Sequence, residues 1–138
     1  MDRTRVTDSY EAKFALDSFE LYKQARAFRI SVYRLIRELP KIENYCLATQ
    51  MRRAAISISN NIAEGHGRWH YQENIQFCRI ARGSLEEVVD DLNICIDEGY
   101  VSHEMVEGLK SEARVSLARI NSYIGYLRKS RQGHESQP

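Results

Sequence analysis

The chain has 138 residues, of which 43% are hydrophobic, two are proline and seven are glycine; that is enough chain to bury one core without a disulfide or metal staple. Its formal net charge is only +1, so overall charge gives no argument for a nucleic-acid partner. No apolar run is long enough to span a bilayer, and the N-terminal MDRTRVTDSYEAK has charge but no apolar signal core, so a cytoplasmic protein is expected.

Nothing in the sequence alternates with the period of two that strands need, so the class is all-α. Residues 1–16 are polar except for isolated Tyr10, Phe14 and Leu16, and read as a flexible extension whose last residues dock. A first helix is predicted over 18–39. Asp17 and Glu20 have the capping-box spacing, Leu16 and Leu21 the hydrophobic-staple spacing, and Pro40 stops the run. Its seam is Leu21, Ala25, Phe28, Val32, Leu35 and Leu39, while Lys23, Arg26, Arg29, Arg34 and Arg37 leave the other faces basic. A short connection with Asn44 as the cap leads to a second helix over 45–65, closed by Gly65 and Gly67 through a left-handed turn. The third helix, over 71–98, starts behind the weak cap His70, carries Cys78, Ala81, Leu85, Val88, Leu92 and Cys95 on one stripe, and ends at Gly99. Ser102 caps the fourth, over 103–130, with Val101 and Val106 as its staple and Val106, Leu109, Ala113, Ser116, Ile120, Tyr123 and Leu127 inward; 131–138 reads as a disordered tail. Helices of roughly 20 to 28 residues joined by short loops fold as an antiparallel up-down-up-down four-helix bundle. The cysteines Cys46, Cys78 and Cys95 are odd in number and lack C-x-x-C spacing, so reduced, buried thiols are expected.

The second helix has two stripes. Ala48, Met51, Ala55, Ile58 and Ile62 recur at steps of three and four and form its core seam. Gln50, Arg53, Ser57, Asn61 and Glu64 recur in nearly the same rhythm about 200° away at about 100° per residue, with the small Ala54, Ser59 and Ala63 between. A solvated face favours long charged side chains, whereas this one mixes amides, a serine and two opposite charges, so it is read as a subunit interface. Arg53 and Glu64 are too far apart to pair along one helix, and each is expected to meet a partner on another element or chain.

The stretch QMRRAAISISNNIAEGHGR resembles the signature of the bacterial four-helix-bundle family named for proteins of 23S rRNA intervening sequences, whose usual wording is close to Q-x-R-R-A-x-x-S-I-P-x-N-I-A-E-G-x-G-R. Gln50, Arg52, Arg53, Ala54, Ser57, Ile58, Asn61, Ile62, Ala63, Glu64, Gly65, Gly67 and Arg68 match. Ser59 stands where the family usually has proline, so a proline kink is not expected. The resemblance implies the bundle fold. Through the wider family, which includes accessory proteins of diversity-generating retroelements that work with a reverse transcriptase and RNA, it also implies a homopentamer.

Catalytic chemistry finds little support in the sequence. Bundle cores host di-iron sites through Glu-x-x-His pairs, but Ala63, Gly67, Tyr100 and Arg131 stand three residues before His66, His70, His103 and His134. His66 and His70 lack a further ligand, so neither a metal nor a cofactor is expected. Gly65-His66-Gly67-Arg68 follows a helix and lacks the third glycine of a phosphate loop. Charge is unevenly spread: residues 18–82 sum to +6, 83–112 to −8 and 113–138 to +4. Arg68, Trp69, His70 and Tyr71 interleave cations and aromatics, which suits phosphate contact with base stacking, although packing of Trp69 and Tyr71 over the bundle end is the favoured reading. Arg52, Arg68, Trp69, Arg79 and Arg82 are therefore the candidate nucleic-acid contacts. The expected function is a non-enzymatic homo-oligomer offering a basic surface to RNA or to a nucleic-acid enzyme; a protein-binding scaffold without nucleic acid is the alternative, and no membrane or small-molecule substrate is implied.

Overall fold

A computed structural model of the chain describes residues 14–68 and 70–135, with side-chain surroundings up to Arg131. Four helices are described: α1 (Glu20–Ile36), α2 (Leu47–His66), α3 (Tyr71–Asp97) and α4 (His103–Glu135), with 3₁₀ turns at Ala15–Ser18 and Lys41–Glu43. α1 packs on α2 and α4, α3 packs on the same two, and the α2–α3 interface is the most extensive. The fold is an up-down-up-down four-helix bundle. Every seam residue named from the sequence is buried except Tyr123, which is half-buried.

The helix ends depart from the sequence reading more than the helices do. Asp17 does not open a capping box: it sits in the Ala15–Ser18 turn, whose backbone bonds run from Asp17 N–H to Phe14 O (3.1 Å) and from Phe19 N–H to Leu16 O (3.0 Å). The helix therefore starts at Glu20, behind an extended Phe19 with no side-chain cap. α1 ends at Ile36, three residues early, because Glu38 N–H and Leu39 N–H turn to the carbonyls of Leu35 (2.9 Å) and Ile36 (3.1 Å). Asn44 does not cap α2, which begins after Cys46; the Asn44 carbonyl instead accepts from Thr49 Oγ1 at 2.8 Å. Cys46 is exposed, against expectation, whereas Cys78 and Cys95 are buried and burial pushes their thiols up to about 11. Ser102 does cap α4, accepting from Met105 N–H at 3.1 Å, and α4 runs to Glu135, so residues 131–135 are helical and not a tail. The reading of 1–13 as an extension and the end of the tail, 136–138, lie outside the described residues.

The glycines divide differently from expectation too. Gly67, at φ −76°, is right-handed; the left-handed glycine is Gly99 (φ 69°), where Tyr100 N–H reaches back to Cys95 O at 2.9 Å and closes α3. Gly65 matters for space. A Cβ built there would lie 2.5 Å from Asn74 Oδ1 and 3.1 Å from Phe77 Cβ, so α3 can approach α2 only where residue 65 has no side chain. Asn74, 6% exposed, donates to the Tyr123 hydroxyl on α4 at 3.0 Å, and its Oδ1 faces Cys78 Sγ at 3.6 Å. Phe19 stacks on His66 (centroids 4.7 Å) and tilts against Tyr123 (5.1 Å). One end of the bundle is thus tied through all four helices. At mid-height, Ser59 is 1% exposed, accepts from Arg29 of α1 at 2.7 Å and donates to Ile56 O at 3.2 Å.

Two expected outcomes follow from these placements. Gly65→Ala forces its methyl into Asn74 and is expected to lose about 1 to 3 kcal/mol in urea denaturation, whereas Gly83→Ala, with nothing within 4 Å of its Cβ, should gain about 0.5 to 1 kcal/mol in helix stability. Equal effects at the two positions would contradict the steric account. Asp91, 7% exposed, has its carboxyl pushed up to about 6 by burial, then by Asp90 and Glu87. Because the folded chain holds this proton more tightly than the unfolded one, the Asp91 contribution favours folding at low pH. It is lost as pH rises from about 4 through about 6. Asp91→Asn should therefore match the parent near pH 4 and exceed it by up to roughly 2 to 3 kcal/mol at pH 7.5; a constant difference across that range would contradict the assignment.

Candidate nucleic-acid interface

Of the five predicted contact residues, the four described, Arg52, Arg68, Arg79 and Arg82, do not form one surface. Arg52 is exposed on the first half of α2, sixteen residues and about 24 Å of helix from Arg68 at 1.5 Å per residue. Arg68 is engaged: its guanidinium pairs with Glu64 Oε1 at 2.7 Å and lies 5.6 Å from the centroid of the Phe77 ring. Trp69 lies outside the described residues. Arg82 donates to Asn121 Oδ1 of α4 at 2.8 Å, and Arg79, one turn earlier on α3, is exposed.

Arg79 lines a groove of about 660 Å³ between the start of α3 and the end of α4. α3 contributes Gln72, Glu73, Ile75, Gln76 and Arg79, preceded by His70, and α4 contributes Arg128 and Arg131. Gln72, Gln76 and Arg79 stand on successive turns of one face of α3, so the helix presents two amides and then a guanidinium along one wall. Three arginines against one carboxylate make the groove basic. Arg79 and Arg128 form no ion pair among the described residues. Arg128 and Arg131 are not among the candidates read from the sequence, because nothing in it brings the end of the fourth helix beside the start of the third; the +4 block over 113–138 was the available signal.

The stripe read as a subunit interface is partly satisfied within the chain. Ser57 Oγ and Ser84 Oγ of α3 are 2.7 Å apart, and Asn61 Nδ2 donates to Ser57 O (2.8 Å) and Ser57 Oγ (3.0 Å). Glu64 pairs with Arg68, four residues on in the same chain. Both side chains are about half exposed, so this pair contributes little to stability. Gln50 and Arg53 are exposed, with no side-chain partner among the described residues.

His66 is stacked on Phe19 while His70 lines the groove, so the two histidines weighed as a metal pair serve different surroundings. Among the described residues no three His, Cys, Asp or Glu side chains gather as a metal site, and no helix is long and apolar enough to cross a membrane.

The model of the 23S rRNA-intervening sequence protein family matches residues 17–122. Among solved structures, the chain is similar to a protein of unknown function from the S23 ribosomal protein family of Bacteroides thetaiotaomicron VPI-5482, at 20% identity, covering 75% of this chain and 97% of that one with a TM-score of 0.70. At that identity the likeness speaks for the fold alone. No curated protein matches the chain.

Proposed function

The chain belongs to the 23S rRNA-intervening sequence protein family, and from that premise we propose that it is a non-enzymatic, self-associating cytoplasmic bundle that binds RNA through the groove between α3 and α4. The observation that carries this reading is the meeting of Arg79, Arg128 and Arg131 from two helices in one groove, with Arg82 a turn away. Guanidiniums spaced along a groove match a phosphate backbone as fork-shaped donors, and phosphate contact is independent of sequence. The protein-scaffold alternative needs no such cluster.

Anisotropy titration of labelled RNA over a salt series tests it. Each phosphate contact releases condensed counterion, so about three contacts should give a log–log slope near −2. The double variant Arg79→Gln/Arg128→Gln is expected to bind about tenfold or more weakly, with a shallower slope. Unchanged affinity in that variant removes the groove as the binding site, and no RNA binding at low salt supports the scaffold alternative.

Self-association is proposed through the outward face of α2, in the homopentamer that the resemblance implies. What supports it is the exposed, unpartnered pair Gln50 and Arg53 on a face that otherwise satisfies its polar groups. Removing one partner of a desolvated ion pair typically costs about 3 to 5 kcal/mol. Arg53→Glu is therefore expected to give a monomer of unchanged helicity in light scattering with circular dichroism, and a variant that keeps the parent's mass removes this interface.

A further inference from the structure

The groove contains more than phosphate binding requires. Glu73, Gln72 and Gln76 share it with the arginines, and a carboxylate repels phosphate. Glu73 forms no ion pair among the described residues, although three guanidiniums line the same groove. Glu73, Arg79 and Arg128 are thus each without an ion pair among the described residues, and can meet different parts of one ligand. A ligand that offers an anion to one part of a groove and N–H donors to another fits this arrangement, and a nucleotide is such a ligand.

We propose that the groove reads a guanine in single-stranded RNA, with Arg79 and Arg128 on the backbone phosphates and Glu73 on the base. The inference rests on the RNA-binding reading above and adds the base. Guanine is the one common base whose Watson–Crick edge presents two adjacent N–H donors, N1–H and the N2 amino group, beside the O6 acceptor. An ionised carboxylate accepts both donors at once, and a glutamine amide can donate to O6. Adenine and cytosine offer one amino group beside an acceptor, and uracil a single N–H, so each leaves part of the carboxylate unmatched.

The shape of the groove argues for a single strand. A groove of about 660 Å³ between two packed helices has room for a nucleotide, whereas a duplex would touch only its rim. In a duplex the edge that Glu73 would read is already paired, whereas single strands can splay a base outward. The volume of about 660 Å³ lies within the range of about 300 to 1,000 Å³ usual for small-ligand sites. Buried Ile75 adds an apolar wall, and His70 at the rim offers a ring for stacking.

Glu73 also stands in the first turn of α3, where a carboxylate favours the helix dipole. That role predicts no base preference, and this separates the two explanations. The test is anisotropy titration of the full chain with labelled hexanucleotides identical except for one central base: guanine, inosine, adenine or uracil, together with a duplex of the guanine strand. The expected order is guanine tightest, about tenfold over inosine, which lacks the N2 amino group, with adenine, uracil and the duplex weaker still. Glu73→Gln should abolish the preference for guanine over inosine while keeping the salt slope. Arg79→Gln/Arg128→Gln should weaken every strand about equally. Equal affinity for all strands in the parent, or a guanine preference that survives Glu73→Gln, overturns the inference and leaves RNA binding in place. If no strand binds at low salt, the inference and the reading it rests on fall together.

Discussion

The missing side chain at residue 65 sets the geometry of one whole end of this bundle. Two helices joined by a short turn must diverge unless something small sits at the closest point, and Gly65 lets the first turn of α3 lie against the last turn of α2. Asn74 then occupies the space a methyl would need. From there it reaches across the core to the Tyr123 hydroxyl, so the crossing of α2 and α3 also fixes α4. Phe19, against both His66 and Tyr123, adds the start of α1. A buried amide with its hydrogen bonds made in only one arrangement specifies that arrangement better than apolar contact does, because any shift leaves it unsatisfied.

The same junction positions the groove. The α3 wall begins at Gln72, five residues after Gly67, and the α4 wall at Arg128, five residues after Tyr123, so both walls extend from the tied end. Binding groups mounted on helices that share a rigid origin keep their separation, which a loop-borne site would not guarantee. The groove also gathers charge that is distant in the chain: Arg79 belongs to the basic first block and Arg128 to the basic last block, with the acidic 83–112 segment between them in sequence and further along the bundle in space. A net charge of +1 hides this completely.

The seams were legible because burial imposes a period. Leu21, Ala25, Phe28 and Val32, or Cys78, Ala81, Leu85 and Val88, repeat at three and four whatever happens at the helix ends, and all of them are buried. Caps were less legible, since a capping residue competes with whatever the neighbouring turn does. Ser102 had no competitor and caps α4, whereas Asp17 was drawn into a 3₁₀ turn and Asn44 gave its carbonyl to Thr49. The signature segment was conspicuous in sequence, yet its Gly65 was read for conformational freedom when its role is steric; only the position of Asn74, nine residues on, reveals that. The groove was the least legible feature. Its two walls lie about fifty residues apart, and one of them lies at the very end of α4, where a run of polar residues carries no apolar period to announce a helix.

Ser59, in place of the proline that the resemblance leads one to expect, bears on how this chain can change over time. Its hydroxyl receives the Arg29 guanidinium while its own proton goes to Ile56 O, so the two residues share one bond but depend on it unequally. Replacing Ser59 by proline first would strand a half-buried guanidinium and also remove a backbone N–H from the middle of α2. Replacing Arg29 first leaves Ser59 still bonded to its own helix. Losing Ser59 therefore costs more while Arg29 is present than after Arg29 has gone, whereas losing Arg29 leaves the serine bonded within its own helix.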